Sequence, residues 1–168
     1  MEDTYENYMI DLIRFKKDEY IANTGLHNYK LAVELIFNNA IFNVHWLVLN
    51  EERFNEVYDR KISDAIDKFL KQGGKIYFYI GKCSDNSEFL NYISKLLEQY
   101  DEQIVCVYRN CKATTKTYRI FSSETTPCEW ITFDDRGYRY SPEADKCRAI
   151  FCANDKEKTY ELNHMFKY

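Results

Sequence analysis

The sequence predicts an α/β fold: a three-layer α/β/α sandwich built on a mixed sheet of about six to seven strands, with a helical N-terminal extension. Three observations point there. Residues 44–49, 75–80 and 103–108 are apolar, β-branched or aromatic runs with little alternation, as expected of strands covered on both faces. Amphipathic stretches of helical period separate them. Beyond Tyr108 the pattern changes to short alternating runs joined by tight turns, which suits antiparallel strands.

Taken in order, residues 5–20 set Tyr5, Tyr8, Met9, Leu12 and Ile13 at helical spacing, with Asp11, Arg14, Lys16 and Lys17 off that stripe. The helix is expected to stop near Asn23-Thr24-Gly25. This divides the chain into an amphipathic extension, 1–24, and an α/β domain, 25–168. Residues 27–40 carry Leu31, Ala32, Val33, Leu35, Ile36 and Phe37, apolar on more than one face, and read as a buried helix. After the strand at 44–49, one long helix over 53–71 aligns Phe54, Val57, Tyr58, Ile62, Ala65, Ile66 and Phe69, and Gly73-Gly74 ends it. A strand, a helix and a strand in this order make a right-handed crossover between parallel strands. Asn86 or Ser87 can cap a helix over 87–99 that turns Phe89, Leu90, Ile93, Leu96 and Leu97 inward. Residues 116–121 alternate like a half-exposed strand. Residues 129–134 and 137–141 form a hairpin around Asp134-Asp135-Arg136-Gly137, and 147–152 is a further strand. Asp155 caps a last helix whose apolar positions are Tyr160, Leu162, Met165 and Phe166.

Composition narrows the function classes. The 168 residues are 45% hydrophobic and 30% charged, which suits a folded domain with a sizeable core. A net charge of −4 does not favour nucleic acid in bulk but permits a local basic patch. The cysteines are Cys83, Cys106, Cys111, Cys128, Cys147 and Cys152, and none forms a C-x2-C pair, so neither a metal nor a cofactor is expected. The N-terminal Met-Glu-Asp-Thr is acidic and lacks the apolar segment of a secretory signal, so reduced thiols and a cytoplasmic location are expected. No window approaches 18 apolar residues, and no membrane span is expected.

Three stretches resemble one half of the phospholipase D-like fold. Ala32 to Ala40 followed by residues 43–49 looks like that family's opening helix and first strand. Ile62 to Gly74 followed by residues 75–80 looks like its second helix, glycine turn and strand. Residues 130–137 look like the strand that ends in its aspartate-glycine turn. The resemblance covers roughly residues 27–168 and implies an H-x-K-x4-D motif, in which histidine attacks phosphorus and lysine neutralises phosphate oxygens. With the aspartate placed on Asp135, the histidine and lysine positions hold Cys128 and Trp130; with Asp134 they hold Pro127 and Glu129. His27, His45 and His164 are followed two residues on by Tyr29, Leu47 and Phe166, so no H-x-K occurs. The resemblance therefore implies a degenerate member that keeps the fold without this phosphodiesterase motif.

Cys128 could stand in as a nucleophile if Arg136 or Arg139 supplied a positive field, although a cysteine at a strand start is more commonly structural. Asp134 and Asp135 are adjacent and fit a hairpin turn better than a paired acid–base site. Arg109, Lys112, Lys116 and Arg119, interleaved with Tyr108 and Tyr118, form a basic segment without an acidic residue. Such a segment suits either a solvated strand edge or phosphate contact with base stacking. His45 reads as a hydrogen-bonded core residue. The reading that follows is a non-catalytic interaction module that binds itself as a homodimer or binds a partner protein. By fold analogy alone, it could be an accessory part of a bacterial multi-gene system such as antiviral defence. The alternatives are a nuclease or phosphoesterase with an altered site at Arg109, Arg119, Asp135, Arg139 and Cys128, or a nucleic-acid or nucleotide binder using residues 109–119.

Overall fold

Residues 2–111 and 127–165 are described by a computed structural model. They run α1 (Glu2–Arg14), β1 (Tyr20–Ala22), α2 (Leu26–Asn39), β2 (Asn43–Asn50), α3 (Glu51–Val57), α4 (Arg60–Lys71), β3 (Lys75–Lys82), α5 (Glu88–Tyr100), β4 (Ile104–Tyr108), β5 (Glu129–Phe133), β6 (Gly137–Glu143), a 3-10 turn (Ala144–Lys146), β7 (Arg148–Cys152) and α6 (Lys156–Asn163). Among the described residues the strands form one sheet in the order β1-β7-β6-β5-β2-β3-β4. The β2, β3 and β4 ladders are parallel, and every other pairing is antiparallel. The mixed α/β sandwich expected from the sequence is therefore present. The strand expected at 116–121 lies outside the described residues.

Local chemistry explains most element ends. Asn50, Asp59, Ser87 and Asp155 each accept a hydrogen bond from the backbone N–H three residues on, which caps α3, α4, α5 and α6. Gly73 takes a left-handed φ of 90°. It donates to Leu70 O while Gly74 donates to Phe69 O, closing α4 in the double hydrogen bond of a Schellman end.

Three expectations are corrected. The N-terminal helix stops at Arg14, and Tyr20–Ala22 is an edge strand paired with β7. Its end is also a Schellman turn: Lys16 N donates to Ile13 O and Lys17 N to Leu12 O. A left-handed lysine, Lys16 at φ 50°, replaces the usual glycine, so the sequence carries no stop signal there. The expected long helix over 53–71 is two helices. Tyr58 and Asp59 are extended between them, and Asp59 restarts the second by accepting from Ile62 N at 3.1 Å. Leu97, expected to face inward, is 39% exposed, and of the apolar positions expected on the last helix Tyr160 is 65% exposed, whereas Leu162 is fully buried.

Strand alternation sends the sheet's side chains to two unlike faces. Val44, Trp46, Val48, Ile76, Phe78, Ile80, Ile131 and Phe133 pack in one core cluster with Met9, Leu12 and Ile13 of α1 and with the apolar faces of α2 to α5. Residues before and after position 24 thus share one core. On the opposite face, Leu47, Tyr79, Cys128, Trp130, Tyr138 and Cys152 gather around Leu162 of α6. Gly81 allows the tight β2–β3 approach, because a Cβ there would lie 2.1 Å from Leu49 O.

Candidate functional site

The β5–β6 hairpin turns through Asp134 and Asp135, both left-handed at φ 52°, as the central residues of a tight hairpin turn must be. Arg136 N closes the turn on Phe133 O at 3.1 Å. The glycine contributes space, and its φ is not positive. A Cβ on Gly137 would lie 2.3 Å from the Phe133 ring.

The two aspartates have different tasks. Oδ1 of Asp134 accepts from Phe42 N at 2.7 Å and Ile41 N at 3.0 Å, with Asn43 N at 3.4 Å. This carboxylate therefore ties the entry of β2 to the hairpin. Among the described residues Asp135 is held by two amides: Asn43 Nδ2 donates to its Oδ2 at 3.2 Å and Asn163 Nδ2 to its Oδ1 at 3.4 Å. Thr132 Oγ1 donates to Asn163 Oδ1 at 2.5 Å, which fixes the end of α6 over β5. His45, paired with Thr132 across β2–β5, lies beside this group. It stacks on Tyr77 with ring centroids 4.0 Å apart, and its Nδ1 is 3.3 Å from Tyr79 Oη. Burial pulls its pKa down to about 4 against the opposing pull of Asp135, so the imidazole is neutral at pH 7. Together these groups offer acceptor oxygens on a carboxylate, and donors and acceptors on carboxamides, a hydroxyl and a neutral imidazole. Among the described residues no three His, Cys, Asp or Glu side chains are grouped to hold a metal ion.

The weak catalytic candidates are not brought together. Cys128 is 2% exposed, and its thiol points at Met165 Sδ, 3.9 Å away. Burial pushes that thiol up to about 11, far from a thiolate at neutral pH. Trp130, at the position the resemblance gives to lysine, is wholly buried. Arg139 pairs with Ile131 and so lies on the opposite face from Cys128, where it is also wholly buried. Its Nε donates to Asn23 Oδ1 at 2.7 Å, and its guanidinium sits 3.7 Å over the Tyr29 ring. It cannot supply a field to Cys128. Arg136 also turns elsewhere, donating to Ala153 O at 2.6 Å.

Sequence reasoning missed a buried charge cluster around Arg139. Glu129 is wholly buried on the same face as Ile131, with Oε1 3.6 Å from Arg53 Nε and Oε2 3.4 Å from Leu49 N. Burial raises its carboxyl to about 7, with Arg139 and Arg53 pulling the other way. The available signal was parity. Glu129 is in step with Ile131 and Phe133, whose large apolar side chains mark the packed face.

Of the basic segment, Arg109 is described and forms a 2.8 Å ion pair with Asp85 at the surface. Lys112, Lys116 and Arg119 lie outside the described residues. No helix among the described residues is long and apolar enough to cross a membrane.

The α/β fold is like that of a phospholipase D family member. Among solved structures, the chain is similar to Nuc from Salmonella typhimurium, a phospholipase D family member. The match has a TM-score of 0.54 at 10% identity and covers 88% of this chain and 91% of that one. It is also similar to TrmBL2, an archaeal chromatin protein with a novel mode of DNA binding, with a TM-score of 0.56 at 12% identity. That match covers 98% of this chain and spans 56% of the TrmBL2 chain. No protein-family model and no curated protein matches the sequence.

Proposed function

We propose that this phospholipase D-like domain is a non-catalytic module that acts by association, with a second copy of itself as the first partner to test. The observation that carries this reading is the burial of Cys128 and Trp130 beneath α6, at the positions where the resemblance calls for a nucleophile and a phosphate-binding cation. Neither side chain can meet a phosphodiester. Exposed apolar side chains support association. Tyr20 is 60% exposed and Ile150 39% exposed, on neighbouring strands at the β1 edge of the sheet.

Light scattering on the purified chain tests this reading. A dimer at micromolar concentration is expected, and Ile150→Asp should convert it to a folded monomer. A strict wild-type monomer would remove self-association. Cleavage of single-stranded DNA that co-elutes with the protein and is lost in Asp135→Ala would overturn the non-catalytic reading in favour of an altered-site nuclease. The fold's likeness to TrmBL2 favours one second reading, nucleic-acid binding through residues 109–119. It would show as binding weakened by Arg109→Ala, with log affinity falling by about 0.7 per phosphate contact per decade of salt on single strands.

A further inference from the structure

Arg139, on the helical side of the sheet, is incompletely hydrogen-bonded. Its side chain is wholly buried. Nε donates to Asn23 Oδ1 at 2.7 Å, and the guanidinium lies 3.7 Å over the Tyr29 ring. Nη1 and Nη2 have no acceptor among the described residues. Asn23 and Tyr29 thus fix one edge and one face of the guanidinium, and the Nη edge is left to be matched. Buried N–H groups of a charged side chain are costly without acceptors.

One acceptor stands near that edge. Glu129 pairs with Ser141 and Ile131 with Arg139, so Glu129 and Arg139 are diagonal neighbours on one face of the β5–β6 ladder. Diagonal neighbours are roughly 7–8 Å apart, a spacing that long side chains span. Glu129 is also wholly buried, and its Oε1 has no hydrogen bond, because Arg53 Nε at 3.6 Å is too distant for one. No ion pair joins Glu129 directly to Arg139 among the described residues. The neighbouring groups are already engaged. Arg53 donates to Glu56 Oε2 at 3.0 Å and to Ala144 O at 2.9 Å. Ser141, opposite Glu129, donates its hydroxyl to Arg148 O at 2.6 Å. A pair of donors on Arg139 and one acceptor on Glu129 therefore remain.

The chemistry that fits between them is narrow. It must accept from Nη1 and Nη2 and donate to Oε1. With Glu129 ionised, the cations Arg53 and Arg139 are balanced by Glu56 and Glu129, so an added anion would leave a net negative charge in a buried site. A simple anion such as chloride also brings no proton for Oε1. A cation could not accept from the guanidinium. Water meets both demands, and buried waters typically make about three hydrogen bonds to groups of this kind.

We propose that one internal water bridges Arg139 to Glu129, accepting from Nη1 and Nη2 and donating to Oε1, so that the two side chains form a water-separated ion pair. The water is then part of the core. Asn23, which receives Arg139 Nε, also donates to Tyr5 Oη of α1 at 3.2 Å and to Asn28 O of α2 at 3.1 Å. The bridged pair thereby supports the seat of the N-terminal helix on the sheet.

The test is nuclear Overhauser spectroscopy on the isotope-labelled full chain. The Nη protons of Arg139 should show cross-peaks at the water frequency with the sign of a long-lived water. Those of Arg60, whose side chain is 94% exposed, should not. The Arg139 cross-peaks should persist in Tyr29→Phe, which keeps the ring and removes its exchanging hydroxyl. Their absence in the wild type, or their loss in a folded Tyr29→Phe variant, would overturn the proposal. If that variant does not fold, a crystal structure of the wild type decides. A water within hydrogen-bond distance of both side chains supports the bridge, and direct contact between Arg139 and Glu129 overturns it. An anion is tested near pH 8, above the Glu129 pKa of about 7, by titrating chloride, nitrate or phosphate at constant ionic strength. No saturable change in Tm is expected. A saturable stabilisation by one anion that is lost in Arg139→Met would replace the water with an anion site.

Discussion

On one side of the sheet, five of the described helices cover Val44, Trp46, Ile76, Phe78 and Ile131, and this side holds an ionic cluster in which Glu129 and Arg139 are fully buried. On the other, α6 covers Leu47, Tyr79, Trp130 and Tyr138, and the polar groups there are His45, Thr132, Asn163 and Asp135 near the hairpin. The more deeply packed side carries the buried charges, and the two positions where chemistry was expected, on the other side, carry a thiol and an indole. Burial alone therefore does not say where a fold keeps its polar groups. A buried arginine is tolerated where a carboxylate, an amide and an aromatic face meet it, as Glu129, Asn23 and Tyr29 meet Arg139.

The largest expected effect falls on the ionic cluster. Glu129→Ala leaves the buried Arg139 without a neighbouring carboxylate and Arg53 with Glu56 alone, and should lower stability by about 3–5 kcal/mol, read from urea unfolding. An effect below about 1 kcal/mol would mean that the cluster is solvated and the contrast between the faces is weaker than drawn.

The hairpin aspartates come next. Asp134→Ala loses a carboxylate that accepts from the backbone at the entry of β2 and places alanine at positive φ, and should cost about 2 kcal/mol. Asp135→Ala removes two long amide contacts and one left-handed aspartate, and should cost about half as much in thermal or urea unfolding.

The two faces should also respond to pH with opposite sign. His45 has a folded pKa of about 4, below its ordinary 6.5, so the unfolded chain takes up the proton first. Stability on this account is lost as pH falls from about 6.5 towards about 4. Glu129 has a folded pKa of about 7, above its ordinary 4.5, so the folded chain holds the proton longer. Its contribution is present at low pH and is lost as pH rises from about 4.5 to about 7. Each limb is bounded by about 1.4 kcal/mol per pH unit. His45→Gln should flatten the first limb alone and Glu129→Gln the second alone in urea midpoints measured from pH 4 to 8. The smallest effect is expected from Tyr160→Ala, within about 0.5 kcal/mol, since that ring is mostly exposed.

Much of the fold was legible in local patterns. The buried strands at 44–49 and 75–80 and the Gly73-Gly74 stop all fall where side-chain type and spacing place them. The misses have local causes as well. Lys16 ends α1 in a conformation that glycine usually takes, and Tyr58 continues an apolar stripe through a helix break. The site was less legible, because Cys128, Asp135 and Arg139 were grouped by nearness in sequence. The hairpin pairs Phe133 with Gly137 and leaves three residues between its strands, which puts Arg139 opposite Ile131. Had the strands been joined by two residues, Arg139 would have faced Trp130 and shared the side of Cys128.

By itself the sequence determined the strands of the parallel half, the caps near Ser87 and at Asp155 and the mixed α/β class, because these depend on side-chain periodicity and on hydrogen bonds within a few residues. The tertiary structure alone decided that Tyr20–Ala22 closes the sheet beside β7, that Glu129 and Arg139 meet Arg53 in the core, and that Asp134 binds the entry of β2 while Asp135 meets α6. Those outcomes depend on strand order and register. Both are set by contacts between residues about 90 or more positions apart in several of these cases, and a shift of one residue would send every side chain of a strand to the other face.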